Sequence, residues 1–436
     1  MTGPRIDGAR MLDCLRELAR IGADPQGGLT RLGLTEAESQ ARAFIAELSR
    51  SAGLVTELDP AANLFVRRPG ADPGKPVLLM GSHLDTVVQG GWLDGAFGVA
   101  AAVEVVRVLT ECGQEFPCEP VAVAFANEEG ALIQEPFWGS RALCGVLGEA
   151  AAAADDAGRP VSGYLADCGG DPGRLAEAAW APGRIRAFLE LHIEQGPVLE
   201  RLGLPIGIVD GIVGRSILEA EISGEQQHAG TTPMPDRRDA LAAAAELLLR
   251  IRQIAAADRI CSTATVGHLE VSPNTTNTIP GLVRLRADVR DTDAGRLTRA
   301  EAAVRAAAAS VGRVTGCQIT VTAVHQSPPA RTDPGLRQAI AAAAGELALA
   351  AHVMPSGAGH DAQVVAGIAP VGMIFVPSRD GVSHAPAEDT SDAALTRGAG
   401  VLLRTAIKIA ASARPARQDQ ARHDQGELSA KDQVRP

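Results

Sequence analysis

Short apolar runs alternate with amphipathic segments over about the first 200 residues, and this alternation predicts an α/β architecture. Apolar runs at residues 76–82, 121–126 and 185–191 predict buried strands, whereas residues 6–21 and 98–109 have helical periodicity. Histidine, aspartate or glutamate residues follow these strands. Because ligands bind at the carboxyl ends of the strands in open α/β sheets, we expect the functional site at that edge.

The segment from residue 214 to residue 325 has a different pattern of elements. Its predicted strands are residues 215–224, 261–271, 282–290 and 317–325, and its predicted helices are 239–255 and 293–311. The resulting order, β-α-β-β-α-β, is that of a ferredoxin-like α+β domain. We therefore predict that such a domain, residues 214–325, is inserted into a larger one.

Helices and strands resume after this insertion, at residues 336–349, 371–376 and 390–411. The larger domain is therefore predicted to be discontinuous, comprising residues 1–213 and 326–413. The glycine-rich segment 207–214 and the Gln-Ser-Pro-Pro run at 326–329 predict hinges at the two junctions. Residues 414–436 lack apolar periodicity and predict a disordered tail.

Composition narrows the class of protein. A length of 436 residues exceeds what one ordinary core accommodates, which favours two domains. The formal net charge of −11 argues against a nucleic-acid partner, which would require a basic surface. Apolar runs fall short of the ~20 residues that span a bilayer, and the N-terminus lacks a signal-peptide pattern. Seven cysteines without a C-x-x-C pair predict reduced thiols in a cytoplasmic protein.

Groups that bind metals cluster after the predicted strands. In chain order they are His83, Asp94, the pair Glu128 and Glu129, the pair His192 and Glu194, and His384. Imidazole and carboxylate together suit Zn²⁺ or Mn²⁺, and one carboxylate can bridge two ions. A single histidine at a strand end is usually structural. Five such clusters at one edge of a sheet predict a metal site.

The motifs that carry these residues resemble the amidase branch of the di-metal aminoacylase/peptidase superfamily. That branch comprises N-carbamoyl-L-amino-acid hydrolases, β-ureidopropionases and allantoate amidohydrolases, and the resemblance extends from about residue 10 to residue 411. It rests on an ordered series: Gly-Ser-His-Leu-Asp-Thr at 81–86, Asp-Gly-Ala-Phe-Gly at 94–98, Asn-Glu-Glu-Gly at 127–130, Leu-His-Ile-Glu-Gln-Gly at 191–196, His-Ala-Gly-Thr-Thr-Pro at 228–233, Pro-Asn-Thr-Thr-Asn at 273–277, Gly-Ala-Gly-His-Asp at 357–361 and Ser-His-Ala-Pro-Ala-Glu at 383–388. The resemblance implies a mixed-sheet, di-metal aminopeptidase-like catalytic domain, with the inserted ferredoxin-like domain as its lid and dimerisation domain.

The resemblance also implies a role for each metal-site residue. The five ligands would be His83, Asp94 and His192 for one ion, and Glu129 and His384 for the other. Asp94 would bridge the two divalent ions, expected to be Zn²⁺ or Mn²⁺ with Co²⁺ or Ni²⁺ as alternatives. Glu128 would be the general base and Asp85 would orient the imidazole of His83. Because neighbouring strand residues point to opposite faces, Glu128 and Glu129 need an irregular strand end to share one site.

Substrate recognition is implied to involve both domains. In the family, the histidine equivalent to His228 comes from the partner subunit of a homodimer and stabilises the carbonyl oxygen in the transition state. Asn277 and Arg290 resemble the pair that binds the substrate carboxylate, for which the planar fork of arginine is suited. The pocket would be completed by Gln195, Gly359 and His360. Alternative interpretations are a surface strand residue for Arg290, a turn former for Asn277, and structural loop residues for Gln195 and His360.

The implied activity is that of a metal-dependent amidohydrolase. The expected substrate is a small ureido acid, most simply an N-carbamoyl-L-amino acid, which would yield the amino acid, CO2 and ammonia. Allantoate is the alternative substrate, because residues 137–140 and 273–277 look closer to allantoate amidohydrolases. A metallopeptidase of the same superfamily is a further alternative. A serine hydrolase is disfavoured, since Gly-Val-Ser-His-Ala at 381–385 lacks the final glycine of a nucleophile elbow.

Overall fold

The structure is a computed structural model that describes residues 3–113 and 115–411. Its helices are α1 (Gly8–Leu18), α2 (Glu36–Ser51), α3 (Ala96–Glu111), α4 (Trp138–Leu143), α5 (Val161–Asp167), α6 (Val198–Leu202), α7 (Ala240–Ala256), α8 (Ala294–Thr315), α9 (Pro334–Glu346), α10 (Asp361–Val365) and α11 (Asp392–Ala411). Its strands are β1 (Val55–Leu58), β2 (Leu64–Arg67), β3 (Val77–His83), β4 (Glu119–Phe125), β5 (Ile185–Ile193), β6 (Ile206–Ile212), β7 (Gly214–Ser223), β8 (Gln227–His228), β9 (Thr263–Ser272), β10 (Thr278–Ile279), β11 (Leu282–Asp291), β12 (Gln318–Ser327), β13 (Ala330–Arg331), β14 (Ala351–Ser356) and β15 (Val371–Val376). The predicted tail, residues 414–436, lies outside the described residues. Within them, every helix is too short or too polar to cross a membrane.

The chain forms two compact units. The first comprises Met1–Asp210, Thr332–Met354 and His360–Pro436, as far as these residues are described. The second comprises Gly211–Arg331 and Pro355–Gly359. The first unit is therefore built from three separate stretches of chain, and the second interrupts it twice.

A mixed β-sheet forms the centre of the first unit, which confirms the predicted α/β class. Its strands follow the order β1-β2-β4-β3-β5-β15-β6, and β14 pairs with β6. The four central strands β4, β3, β5 and β15 are parallel to one another, whereas β2 and β6 pair antiparallel with their neighbours. Every residue of β3, β4 and β15 is buried, as expected for strands covered on both faces.

The parallel register brings the predicted functional residues to one edge of this sheet. His83, the last residue of β3, is aligned with Phe125, the last residue of β4. His192 near the end of β5 is aligned with Phe375 near the end of β15. Helices α3 and α11 contribute buried apolar residues to the same core as Leu78 and Met80 of β3. The core thus fixes the strand ends from which the site is built.

Residues 206–212, which include most of the predicted hinge at 207–214, form strand β6, and the boundary between the two units follows Asp210 within this segment. The sequence there alternates glycine with Ile and Val, and the glycines serve packing rather than flexibility. A Cβ at Gly207 would lie 2.9 Å from the Cβ of Phe375 and 3.0 Å from the sulfur of Met354. Glycine at this position allows β6 to approach β15 closely.

The second unit contains the predicted β-α-β-β-α-β succession, with β7, α7, β9, β11, α8 and β12 in chain order. These strands form an antiparallel sheet in the order β12-β7-β11-β9. Burial alternates along β11, whose buried residues pack with those of α7 and α8 in one core. Asp239 and Asp293 cap the two helices by accepting hydrogen bonds from backbone N–H groups of the first turn.

Candidate metal centre

The predicted metal ligands form one cluster at the carboxyl edge of the sheet. Three groups of side chains each have ligand atoms within 4.8 Å of one another: His83 with Asp94 and His192, His83 with Glu128 and Glu129, and Asp94 with Glu129 and His384. Each group could hold a metal ion, and the groups share members. The described residues therefore offer neighbouring sites that fit a pair of ions.

Asp94 lies between the two sets of imidazoles. Its Oδ1 is 3.1 Å from Nε2 of His192 and 3.4 Å from Nε2 of His83. Its other oxygen, Oδ2, is 3.2 Å from Nε2 of His384, which is also 3.2 Å from Oε1 of Glu129. One carboxylate thus presents one oxygen to each set of ligands, which is the geometry that a bridging ligand requires.

The buried carboxylates of the cluster favour the binding of cations. Burial raises the pKa of Glu128 well above its ordinary value, His83 opposes this shift, and the neighbouring Glu129 adds to it. Hydrogen bonds with Asp94 and Glu129 raise the pKa of His384 to about 10. Buried carboxylates that draw protons onto nearby imidazoles will also bind divalent cations in place of those protons. The donor set, imidazole nitrogen with carboxylate oxygen, fits Zn²⁺ or Mn²⁺.

The backbone fixes the orientation of two imidazoles. Nδ1 of His83 lies 3.0 Å from the carbonyl oxygen of Asp85, and Nδ1 of His192 lies 2.8 Å from the carbonyl oxygen of Ile193. An Nδ1–H that donates to a carbonyl leaves Nε2 unprotonated and directed at Asp94 and the metal position. The Asp85 carboxylate, which was expected to orient His83, lies farther from Nδ1, at 3.4 Å. The main-chain oxygen of Asp85 makes the shorter contact.

The carboxylate of Asp85 also binds the segment that carries Glu128 and Glu129. Its Oδ1 accepts the backbone N–H of Glu128 and its Oδ2 accepts that of Glu129, both at 3.0 Å. Strand β4 has ended at Phe125, and Asn127 has a positive φ of 49°. The irregular strand end that the sequence required is therefore present, and it allows both glutamates to approach the cluster.

Glu388 and Ser383 have a similar role that the sequence did not reveal. Oε1 of Glu388 accepts the backbone N–H groups of Leu93 at 2.9 Å and Asp94 at 3.0 Å. The Ser383 hydroxyl lies 2.7 Å from Oε2 of Glu388 and 3.0 Å from Oδ2 of Asp94. A Cβ at Gly91 would lie 2.0 Å from Cδ of Glu388. The motif at 383–388 indicated these residues, but only the contacts show that they orient Asp94.

The structure places Gln195 and His360 beside the cluster. Nε2 of Gln195 donates to Oδ2 of Asp94 at 2.7 Å. The His360 ring is buried 4.8 Å from the His192 ring. Burial, followed by the nearby His192, lowers the pKa of His360 well below its ordinary value. Glu194, in contrast, accepts the N–H groups of Val198 and Leu199 at the start of α6.

The remaining predicted binding residues belong to the second unit. His228 lies on β8 and is aligned with Thr278 of β10, and the N–H of Ala229 donates to the carbonyl of Asn277 at 2.9 Å. His228 and Asn277 are therefore neighbours on one exposed two-stranded ribbon. Gly359, the last residue of this unit, follows the Gly357 carbonyl that Arg290 contacts.

Arg290 is already engaged within the second unit. Its Nε and Nη2 donate to the two carboxylate oxygens of Asp288, each at 2.9 Å, and its Nη1 donates to the carbonyl of Gly357 at 2.9 Å. This bidentate pair occupies one edge of the guanidinium fork. A substrate carboxylate would therefore have to bind the remaining N–H groups of Arg290 or displace Asp288.

Comparisons with known proteins agree on the family. The model of peptidase family M20/M25/M40 matches residues 79–408. The chain is 41% identical over 409 residues to an N-carbamoyl-L-amino acid amidohydrolase of Geobacillus stearothermophilus, covering 93% of this chain and 99% of that protein. It is 35% identical over 404 residues to an allantoate amidohydrolase of Bacillus subtilis, covering 91% and 97%. A solved hydantoinase/carbamoylase family amidase from Burkholderia ambifaria is 38% identical, with a TM-score of 0.84 over 94% of this chain and 99% of that one.

Proposed function

The chain belongs to peptidase family M20/M25/M40, and from this premise we propose that it is a metal-dependent amidohydrolase that cleaves a C–N bond of a small ureido acid. The observation that carries the proposal is the position of Asp94, whose two oxygens face separate sets of imidazoles. A bridging carboxylate of this kind supports a pair of ions and, with them, hydrolysis.

We assign the metal ligands in two sets. His83, Asp94 and His192 would hold one ion, and Asp94, Glu129 and His384 would hold the other. Zn²⁺ or Mn²⁺ fits these donors, with Co²⁺ or Ni²⁺ as alternatives. When bound, two ions polarise the scissile carbonyl and lower the pKa of a water molecule. The protein contributes fixed imidazoles, through the carbonyl oxygens of Asp85 and Ile193, and a fixed bridging carboxylate.

Glu128 is assigned as the general base. It is buried beside His83, with Oε2 3.8 Å from Nε2 of that residue. It thus lies at the edge of the cluster of assigned ligands, close to where a water molecule held by the ions would be. Burial also raises its pKa well above the ordinary value. The same group would return the proton to the departing nitrogen.

For the substrate we propose an N-carbamoyl-L-amino acid, hydrolysed to the amino acid, CO2 and ammonia. Several relatives that match over nine-tenths of the chain carry that name, which supports this choice. Asn277 and Arg290 would bind the substrate carboxylate, and Gln195, Gly359 and His360 would line the pocket. His228 would act across a homodimer, with residues 214–325 serving as lid and dimerisation domain. The free cysteines support a cytoplasmic location.

Allantoate is the second candidate substrate, because an allantoate amidohydrolase also matches over nearly the whole chain. The two are separated by measuring ammonia release from a panel of N-carbamoyl-L-amino acids, their D-enantiomers and allantoate. The purified protein is first depleted of metal and then supplied with Mn²⁺, Zn²⁺, Co²⁺ or Ni²⁺.

We expect the highest kcat/KM on an N-carbamoyl-L-amino acid. A preference for allantoate would select the second substrate within the same reaction class. Dipeptides serve as the comparison for peptidase activity. Hydrolysis of dipeptides without hydrolysis of any ureido acid would refute the proposed function.

A further inference from the structure

Residues 126–129 follow β4 and include Glu128 and Glu129. All four of their backbone N–H groups donate to side chains from elsewhere in the chain. The acceptors, in chain order, are Asn63 Oδ1 for Ala126 at 3.1 Å, Glu38 Oε1 for Asn127 at 3.0 Å, and Asp85 Oδ1 and Oδ2 for Glu128 and Glu129 at 3.0 Å each. A regular strand would bind such groups through a neighbouring backbone instead. Side chains therefore decide the conformation of this segment.

The carbonyl groups of the same segment are also bound. The carbonyl of Asn127 accepts the N–H of Trp138 at 3.1 Å, and that of Glu128 accepts the N–H of Phe137 at 2.8 Å. The backbone of Asn127 itself has a φ of 49°, a left-handed conformation that is uncommon outside glycine. A Cβ at Gly33 would lie 2.1 Å from Oδ1 of Asn127, so the chain passes close on this side as well. Hydrogen bonds to the N–H and the carbonyl of Asn127, together with the close approach of Gly33, therefore fix the backbone at this residue.

Asn63 and Glu38 are the acceptors in this set that lie outside the catalytic motifs, and Glu38 is the carboxylate of the two. It is in the first turn of α2 and its side chain is 0% exposed. Its Oε1 binds Asn127, and its Oε2 accepts the N–H of Leu34 at 2.7 Å and lies 2.6 Å from Nη1 of Arg42. Arg42 is itself only 3% exposed, so it supplies the counter-charge that a buried carboxylate requires.

We propose that Glu38, paired with Arg42, is a positioning residue that sets the geometry of Glu128 and Glu129 through the backbone of Asn127. Glu38 contacts none of the assigned metal ligands through its side chain, and its effect passes through one amide. Without this acceptor, the N–H of Asn127 would be buried and unbound, and the left-handed conformation at that residue would lose its support. The inference rests on the proposed function, because it concerns the residues assigned there as base and ligand.

The alternative role for Glu38 and Arg42 is purely structural, as an ion pair that starts α2. Replacing both members with apolar residues tests this, since a buried ion pair can be exchanged for packed apolar groups without loss of stability. We compare Glu38→Leu/Arg42→Met with Glu38→Gln/Arg42→Met. Both lack the ion pair, but only glutamine retains an oxygen that can accept the N–H of Asn127.

We expect the glutamine variant to keep kcat within about threefold of wild type, and the leucine variant to lose roughly 10–100-fold in kcat with little change in KM. Two further measurements need no substrate. Titration of the metal-free protein with Zn²⁺ should show weaker binding of one ion in the leucine variant alone, by roughly 10–100-fold. Hydrogen exchange of peptides that cover residues 126–129 should be faster in that variant.

The matched control is the ion pair between Arg68 and the buried Glu119. Glu119 begins β4, the strand whose other end leads to Glu128, and its side chain is 3% exposed. Glu119→Leu/Arg68→Met should leave kcat, metal affinity and exchange at residues 126–129 as in wild type. If the leucine variant of Glu38 cannot be obtained folded, Glu38→Asp keeps the charge but draws the acceptor back by one methylene. It should then show the same losses.

The inference is overturned if a folded leucine or aspartate variant of Glu38 has wild-type kcat, Zn²⁺ affinity and exchange, or if glutamine and leucine variants of equal thermal stability lose activity equally. Failure of the proposed function has a different signature. In that case the wild-type protein would release no ammonia from any ureido acid. The Zn²⁺ titration and the exchange measurement would still decide the role of Glu38.

Discussion

Glu128→Gln is the perturbation that most directly tests the assignment of base and ligand. Glutamine has the shape of glutamate, so the packing around this buried side chain and its contact with His83 are retained. It cannot take a proton from water. Loss of a general base lowers turnover by ~10²–10⁴-fold, and at ~1.4 kcal/mol for each factor of ten this corresponds to roughly 3–5 kcal/mol of transition-state stabilisation.

Glu129→Gln is the informative comparison, because Glu129 contacts the cluster differently. Its Oε1 is 3.2 Å from Nε2 of His384, and it belongs to a ligand group with His384 and Asp94. Removing its charge should weaken binding of one ion. We therefore expect Glu128→Gln to retain two ions per chain with low kcat, whereas Glu129→Gln should contain fewer ions and recover activity partly at high metal concentration.

The assay combines steady-state ammonia release with elemental analysis of protein freed of loosely bound metal. Glu194→Gln is the matched control, since Glu194 is a buried glutamate of the same region whose carboxylate accepts the N–H groups of Val198 and Leu199 at the start of α6. It should keep both metal content and turnover. If Glu128→Gln loses an ion while Glu129→Gln keeps two, the roles of the two glutamates are exchanged. Wild-type turnover in Glu128→Gln would refute general-base catalysis by this residue.

Three further outcomes are expected. Chelation should abolish ammonia release and divalent ions should restore it, and full activity in protein shown by elemental analysis to be metal-free would contradict the metal assignment. Mixing inactive Glu128→Gln with inactive His228→Ala should regenerate activity if His228 acts across a dimer, and no recovery despite demonstrated subunit exchange would count against shared sites. Arg290→Lys keeps the charge but loses the bidentate fork, so kcat/KM should fall roughly 10–150-fold. For a substrate whose carboxylate is replaced by a neutral amide, kcat/KM should fall in the wild-type enzyme and fall little further in Arg290→Ala. If Arg290→Ala lowers kcat/KM by the same factor on the amide substrate and on the carboxylate substrate, Arg290 is not the carboxylate anchor.

The sequence alone predicted the central strands of the sheet and the residues that follow them. Buried parallel strands are continuous apolar runs, and their carboxyl ends must meet at one edge, so the placement of His83 and His192 followed from periodicity. The ordered motifs added the family, which the comparisons confirm. Helix α2 was not predicted, and strand β6 was not predicted because its glycines suggested a flexible junction rather than close packing.

The contacts that orient the site could come only from the tertiary structure. Asp85 was expected to orient His83, and the structure adds that its carboxylate binds the backbone N–H groups of Glu128 and Glu129. Glu388 binds the backbone of Asp94, which lies 294 residues earlier in the sequence. Such bonds join a side chain to the amide of a distant residue, and an amide is the same at every position. No periodicity or residue type records them, so the sequence determined which groups would reach the site, and the fold decided what holds each of them in place.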